Sequence, residues 1–158
     1  PEDVDERRRI ISQIYHDWKL RNPSQRRFNL SLKEYINIRF ISITETCTHA
    51  AKTYHSTLAV LQLDAILTNA KRVATVRTKA NVNQKPFEKM IVMHYECVGI
   101  GTVKMTVGVR RRTHEKVQYC ITAMSDAITA EIPLSFAASM MLCIMSMSSS
   151  YIMVFTVR

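Results

Sequence analysis

Apolar residues at Ile10, Ile11, Ile14, Tyr15 and Trp18 keep the three-to-four spacing of one helical face and predict a helix over 5–20. Asp5 and Glu6 in its first turn complement the helix dipole. Asn22-Pro23 ends it, because the residue before a proline is driven out of helical geometry. Residues 21–29 then read as a basic loop. Residues 30–41 mix periods; they predict a short helical turn at 31–35 and an extended stretch after it. Thr44 is the expected N-cap of a helix reaching about His55. Leu58, Leu61, Ala65 and Ile66 mark a second helix over 58–69, with Asn69 at its C-terminal end.

From Lys71 onward the period drops to two. Residues 71–77 predict a strand, 78–86 a loop and 87–98 a long strand. That strand's faces are Lys89, Ile91, Met93, Tyr95, Cys97 and Glu88, Met90, Val92, His94, Glu96. The cleanest alternation runs over 102–110, where Val103, Met105, Val107 and Val109 interleave with Thr102, Lys104, Thr106 and Gly108. This is the pattern of a half-buried antiparallel strand. Residues 98–101 (VGIG) make the hairpin connection before it, the glycines supplying positive φ angles. Residues 110–115 form the next turn and 116–123 the partner strand, on which Tyr119 and Ile121 are expected to face the core and Gln118, Cys120 and Thr122 to face away. The elements add up to an α+β domain over 1–130: two or three N-terminal helices packed on a three- to four-stranded antiparallel meander.

Residues 131–158 form an apolar tail, in which 132–157 hold no charge and five of the nine methionines. The stretch is long enough for a membrane helix. Its six serines and Pro133 favour a buried helix followed by a strand, which makes a membrane contact the weaker expectation. A length of 158 residues otherwise suffices for one domain with a sizeable core.

Charge narrows the function classes. The formal net charge is +9, and Arg158 supplies the only part of that excess beyond residue 131. Such a balance favours polyanions as partners, RNA or DNA first. Cys47, Cys97, Cys120 and Cys143 form no Cys-x-x-Cys pair, so the usual zinc spacings are missing. They read as reduced, buried thiols, and with the charged N-terminal residues they predict a cytoplasmic setting. Three glycines and no glycine-rich loop argue against phosphate-loop or Rossmann nucleotide chemistry, and neither a serine elbow nor a His-Glu-x-x-His motif is present. No cofactor or metal is expected.

Candidate chemistry sits in two places. His49 and Lys52, three apart, share a helical face; a histidine serves as acid or base near neutral pH and a lysine stabilises charge on a phosphate. The alternative is an ordinary solvated helix face. If the valine face of the central hairpin is buried, Lys104, Thr106, Arg110, Thr122 and His94 emerge together on the other side, with Arg111 and Arg112 at the edge. That surface carries a base, cations and hydroxyls; it also reads as a sheet face that is polar because water is there. Residues 71–85, with Lys71, Arg72, Arg77, Lys79 and Lys85 and no acid, supply phosphate contacts or merely solubility.

The order ISITETCTHAAKTYHSTLAVLQLDAILTNA, a loop, then FEKMIVMHYECVGIGTVKMTVGVRRRTHEKVQYCITA resembles small domains of the barnase–EndoU–colicin–RelE nuclease superfamily found on phage and Bacteroidetes mobile elements. The likeness spans about residues 40–123. It implies helices before a curved antiparallel sheet and RNA cleavage without a metal. His49 matches an early histidine, 63–70 a helix, and 103–110 and 119–122 two strands. The resemblance therefore implies His49 as acid/base, Lys104 or Arg110 on the phosphate and Thr122 as a hydroxyl contributor. The basic residues Lys52, Lys71, Arg72, Arg77, Lys79, Arg111 and Arg112 are expected to bind the nucleic acid on charge alone. The resemblance further implies a toxin of a mobile element, cleaving RNA by 2′-hydroxyl attack, and an antitoxin or immunity protein as partner. A basic, non-catalytic nucleic-acid-binding accessory protein is the alternative.

Overall fold

The computed structural model describes residues 3–124. It is an α+β fold with, among these residues, four helices and a six-stranded mixed sheet. Helix α1 spans Val4–Arg21. Asp3 caps it by accepting a hydrogen bond from the Asp5 amide at 2.8 Å, and the Asn22 side chain closes the far end on the Trp18 carbonyl at 2.9 Å. Its buried face carries Ile11, Ile14, Tyr15 and Trp18, as the periodicity requires.

The expected basic loop and helical turn are instead a hairpin, β1 (Arg26–Asn29) and β2 (Glu34–Asn37). Buried Asn29 holds the turn: its side-chain oxygen accepts from the amides of Ser31 and Leu32, and its amide group donates to the carbonyls of Leu67 and Ala70. Strand β2 then pairs in parallel with the last strand through Ile36↔Lys116 and Asn37↔Val117. The antiparallel meander is thus one part of a mixed sheet, ordered β1-β2-β6-β5-β4-β3.

Helix α2 spans Phe40–Ala50, and its N-cap, Arg39, lies five residues before the expected cap at Thr44. Ser42 accepts from the Arg39 amide at 3.0 Å and so serves as the start signal. The second expected helix is two short ones, α3 (Tyr54–Val60) and α4 (Leu63–Asn69), with Thr53 capping α3 through the Ser56 amide. His49 and His55 therefore lie on different helices.

Strands β3 (Lys71–Val76), β4 (Phe87–Cys97), β5 (Gly101–Arg110) and β6 (Lys116–Ala123) follow the expected order. Gly99 and Gly101 take positive φ values of 78° and 96° in the β4–β5 turn, where a side chain would be strained. One sheet face, with Ile91, Met93, Val103, Met105, Val107, Val109 and Ile121, packs on the helices. Burying these side chains from water is the main stabilising contribution, about 1.5–3 kcal/mol for each. The other face carries a smaller cluster of Phe87, Met90, Val117 and Tyr119. The apolar segment 132–157, together with Cys143, lies outside the described residues. No helix among the described residues is long and apolar enough to cross a membrane.

Candidate active site

Strand alternation brings the chemistry to one face. Lys71 opposes His94, His94 opposes Lys104, and Lys104 opposes Thr122, a row across four strands. Directly opposed residues in an antiparallel ladder point to the same side. Thr106 follows two residues along β5, opposite Val92 and Cys120.

Between Thr106 and Val107 the pairing with β6 slips by one residue, which leaves Tyr119 as the extra residue of a bulge. A one-residue slip moves the following side chains to the opposite face. Gln118 therefore opposes Val107 and is fully buried on the core side, while Tyr119 lines the other face with Thr122 and Cys120. This reverses the expected placement of Tyr119 and Gln118. Ile121 stays in the core.

Helix α2 lies along β6. The Ser42 hydroxyl donates to the Gln118 carbonyl, and the Cys120 thiol reaches the Glu45 carbonyl at 3.8 Å. His49 and Glu45, one turn apart, are thereby aimed over the polar face, with His49 Nε2 at 3.5 Å from Glu45 Oε2. Glu45 is buried and its other oxygen accepts from Asn83 Nδ2 at 2.6 Å, which ties the β3–β4 loop to the helix. The result is a cleft of about 600 Å³. It is lined by the imidazole of His49, the cations Arg77, Lys79 and Lys104, and the hydroxyls of Thr48, Thr106, Thr122 and Tyr119. Val76, Met90 and Val92 form an apolar floor.

The electrostatics sort these groups. Desolvation pushes the Tyr119 phenol up to about 12, and hydrogen bonding to the Glu45 carboxylate adds to the shift. Desolvation also pushes the Cys120 thiol up to about 12; Glu45 raises it further, while Lys104 and Lys52 pull it down. Both groups stay protonated near neutral pH, so Cys120 is no thiolate nucleophile. Cys47, Cys97 and Cys120 are all free thiols. Among the described residues no group of three or more His, Cys, Asp or Glu side chains is placed to hold a metal ion.

Of the residues singled out in the sequence, His49, Lys104, Thr122, Arg77 and Lys79 line the cleft. Lys71 stands in the same cross-strand row at the sheet edge, whereas Arg72 opposes Met93 and belongs to the other face. Arg110 does not join Lys104: it sits at the C-terminal end of β5 with its Nε 3.0 Å from Glu115. Lys52 lies in the turn after α2 and off its helical face, because the helix ends at Ala50. Arg111 and Arg112 are exposed in the β5–β6 turn. Sequence reasoning missed Glu45 and Tyr119. Glu45 stands four residues before His49, a spacing that makes helical neighbours; nothing local marks the bulge that turns Tyr119. Compared with models of protein families, with curated proteins and with solved structures, the chain gives no match.

Proposed function

We propose that this domain is a metal-independent endoribonuclease of the barnase–EndoU–colicin–RelE kind, acting as a mobile-element toxin in the cytoplasm. The observation that supports this reading is the meeting of His49, Lys104, Thr122 and Arg77 in one basic cleft whose buried carboxylate, Glu45, abuts the histidine. In the proposed reaction His49 takes the proton of a ribose 2′-hydroxyl. The freed oxygen attacks the adjacent phosphorus. Lys104 and Arg77 neutralise the charge that gathers on the phosphorane oxygens. The Tyr119 phenol hands its proton to the departing 5′-oxygen, and protonated His49 restores it. The products are a 2′,3′-cyclic phosphate and a 5′-hydroxyl. Glu45, with Oε2 3.5 Å from His49 Nε2, positions the imidazole. Thr122 and Thr106 offer hydroxyls to the phosphate.

The test is incubation of the purified chain with total RNA in EDTA. Wild type is expected to cleave and to leave cyclic-phosphate ends. His49→Ala is expected to lose about 100-fold or more of the rate, the scale of a general base, and Lys104→Ala about 100-fold or more, the scale of one group stabilising transition-state charge. Absent cleavage in the wild type, or equal cleavage in wild type and His49→Ala, removes the proposal.

A non-catalytic nucleic-acid-binding module is the second reading. It is favoured by the exposed edge strand β3 and the loop after it, which carry Lys71, Arg72, Arg77, Lys79 and Lys85. It expects salt-sensitive RNA binding in the same EDTA experiment, with the RNA intact.

A further inference from the structure

Beside the cleft lies a second hollow of about 530 Å³, lined by Thr78, Lys79, Ala80, Asn81, Val82, Lys85 and Arg111. It holds three cations and no carboxylate. The two cavities are neighbours, because Lys79 and Asn81 line both. The loop that forms the hollow is internally bonded. The Lys79 amide donates to Gln84 Oε1 at 2.7 Å, the Gln84 amide to Asn81 Oδ1 at 2.8 Å, and Asn83 reaches across to Glu45. Gln84 itself is buried. Arg111 is anchored on the same loop, its amide to the Pro86 carbonyl and its Nε to the Lys85 carbonyl at 3.2 Å.

Six cations of the chain are neutralised by a neighbouring acid, and these three are not among them. Arg8, Arg9, Arg27, Arg39, Arg110 and Lys116 are each paired with a carboxylate. Among the described residues Lys79, Lys85 and Arg111 have no such pair. A hollow with unneutralised positive charge, next to the cleft, suits an anion that continues from one bound in the cleft.

We infer that this hollow is a second phosphate subsite, through which the chain takes single-stranded RNA by at least two phosphodiesters, one in the cleft and a flanking one between Lys79, Lys85 and Arg111. The inference rests on the ribonuclease reading of the cleft and extends it to the substrate: a strand rather than a mononucleotide. Exposed Val82 at the rim offers an apolar contact to a base beside that phosphate.

The probe is a fluorescein-labelled, fully 2′-O-methylated twelve-nucleotide RNA, which cannot undergo 2′-hydroxyl attack, so binding is read apart from cleavage. Lys85→Gln is expected to weaken its binding about tenfold, the worth of one charge-assisted contact. The slope of log affinity against log salt is expected to fall by about 0.7, the value for one phosphate on a single strand. Arg111→Gln should act in the same direction. A dinucleotide with one phosphate should bind wild type and variants alike. Unchanged affinity and slope for the twelve-nucleotide RNA overturn the inference, as does equal weakening for the dinucleotide. Displacement of the RNA by polyglutamate at matched charge also overturns it, in favour of an acidic protein in the hollow. Cleavage of total RNA with an unaffected Lys85→Gln probe leaves the ribonuclease reading standing and ends the subsite. A weakened probe without cleavage by the wild type does the reverse.

Discussion

Tyr15 shows how a single buried polar group constrains this core. Its side chain is fully buried, and its hydroxyl lies 2.6 Å from Gln118 Oε1 and 3.1 Å from Thr46 Oγ1. Burial drives its phenol strongly upward, so it remains a neutral donor. Removing that hydroxyl leaves the Gln118 oxygen buried without its donor. Tyr15→Phe is expected to destabilise the fold by about 1–3 kcal/mol, read from urea denaturation; a change within error would show that the network carries no such weight. At this scale the sequence was informative where neighbours are set by local spacing. Lys104 and Thr106 alternate with valines, and strand geometry alone then puts them on the polar face. His49 was legible as a helical residue. Glu45, buried against it, was not, because a lone carboxylate on a helix usually points to water and only the packing of α2 on β6 removes that water.

Among the elements, strands β4 and β5 follow their hydrophobic alternation closely, and the turns around β5 fall where glycine and the arginine run expect them. The departures have nameable causes. Helix α2 starts early because Ser42 caps the Arg39 amide, and the long helix expected over 58–69 divides around Leu61 and Gln62. The bulge at Tyr119 overrides the alternation on β6, which no local pattern records. Gly108 reports on the packing next to that bulge. A Cβ there would stand 2.6–2.7 Å from ring atoms of Phe87, which in turn meets Tyr119 edge-on with ring centres 6.0 Å apart. Gly108→Ala is therefore expected to cost about 1–3 kcal/mol through overpacking. A companion Phe87→Leu change should recover part of the loss in urea denaturation. An unimpaired single variant would mean that the ring swings aside freely.

For the molecule as a whole, the parallel contact of β2 with β6 was beyond reach of the sequence. It joins residues about eighty positions apart through two register pairs, and nothing in a short window encodes it. The same long-range packing buries groups that ionise at high pH. The thiols of Cys97 and Cys120 rise from 9.0 to about 11 and about 12, and the Tyr119 phenol from 10.0 to about 12, in each case chiefly by desolvation. A raised value means that the folded chain holds the proton more tightly than the unfolded one. The stability linked to these groups is complete below about pH 9 and drains away as pH rises toward about 11–12. Urea midpoints are expected to hold steady between about pH 7 and 8.5 and then to fall with each step above about 9.5. A midpoint that stays flat to about pH 11 would contradict the burial of these side chains.

Strand β3 closes the sheet on one side with all six residues exposed, and its ladder to β4 is irregular between Arg72 and Ala74. A bare strand at a sheet border is a template on which a second molecule could extend the ladder, and fibrils begin that way. Here the kink at Val73 interrupts the straight hydrogen-bonding line that an incoming strand needs, and Lys71 and Arg72 set like charge against like on two copies. The basic residues that favour a polyanion thereby also keep molecules of this chain from adding to one another, and RNA that masks those charges would weaken that protection.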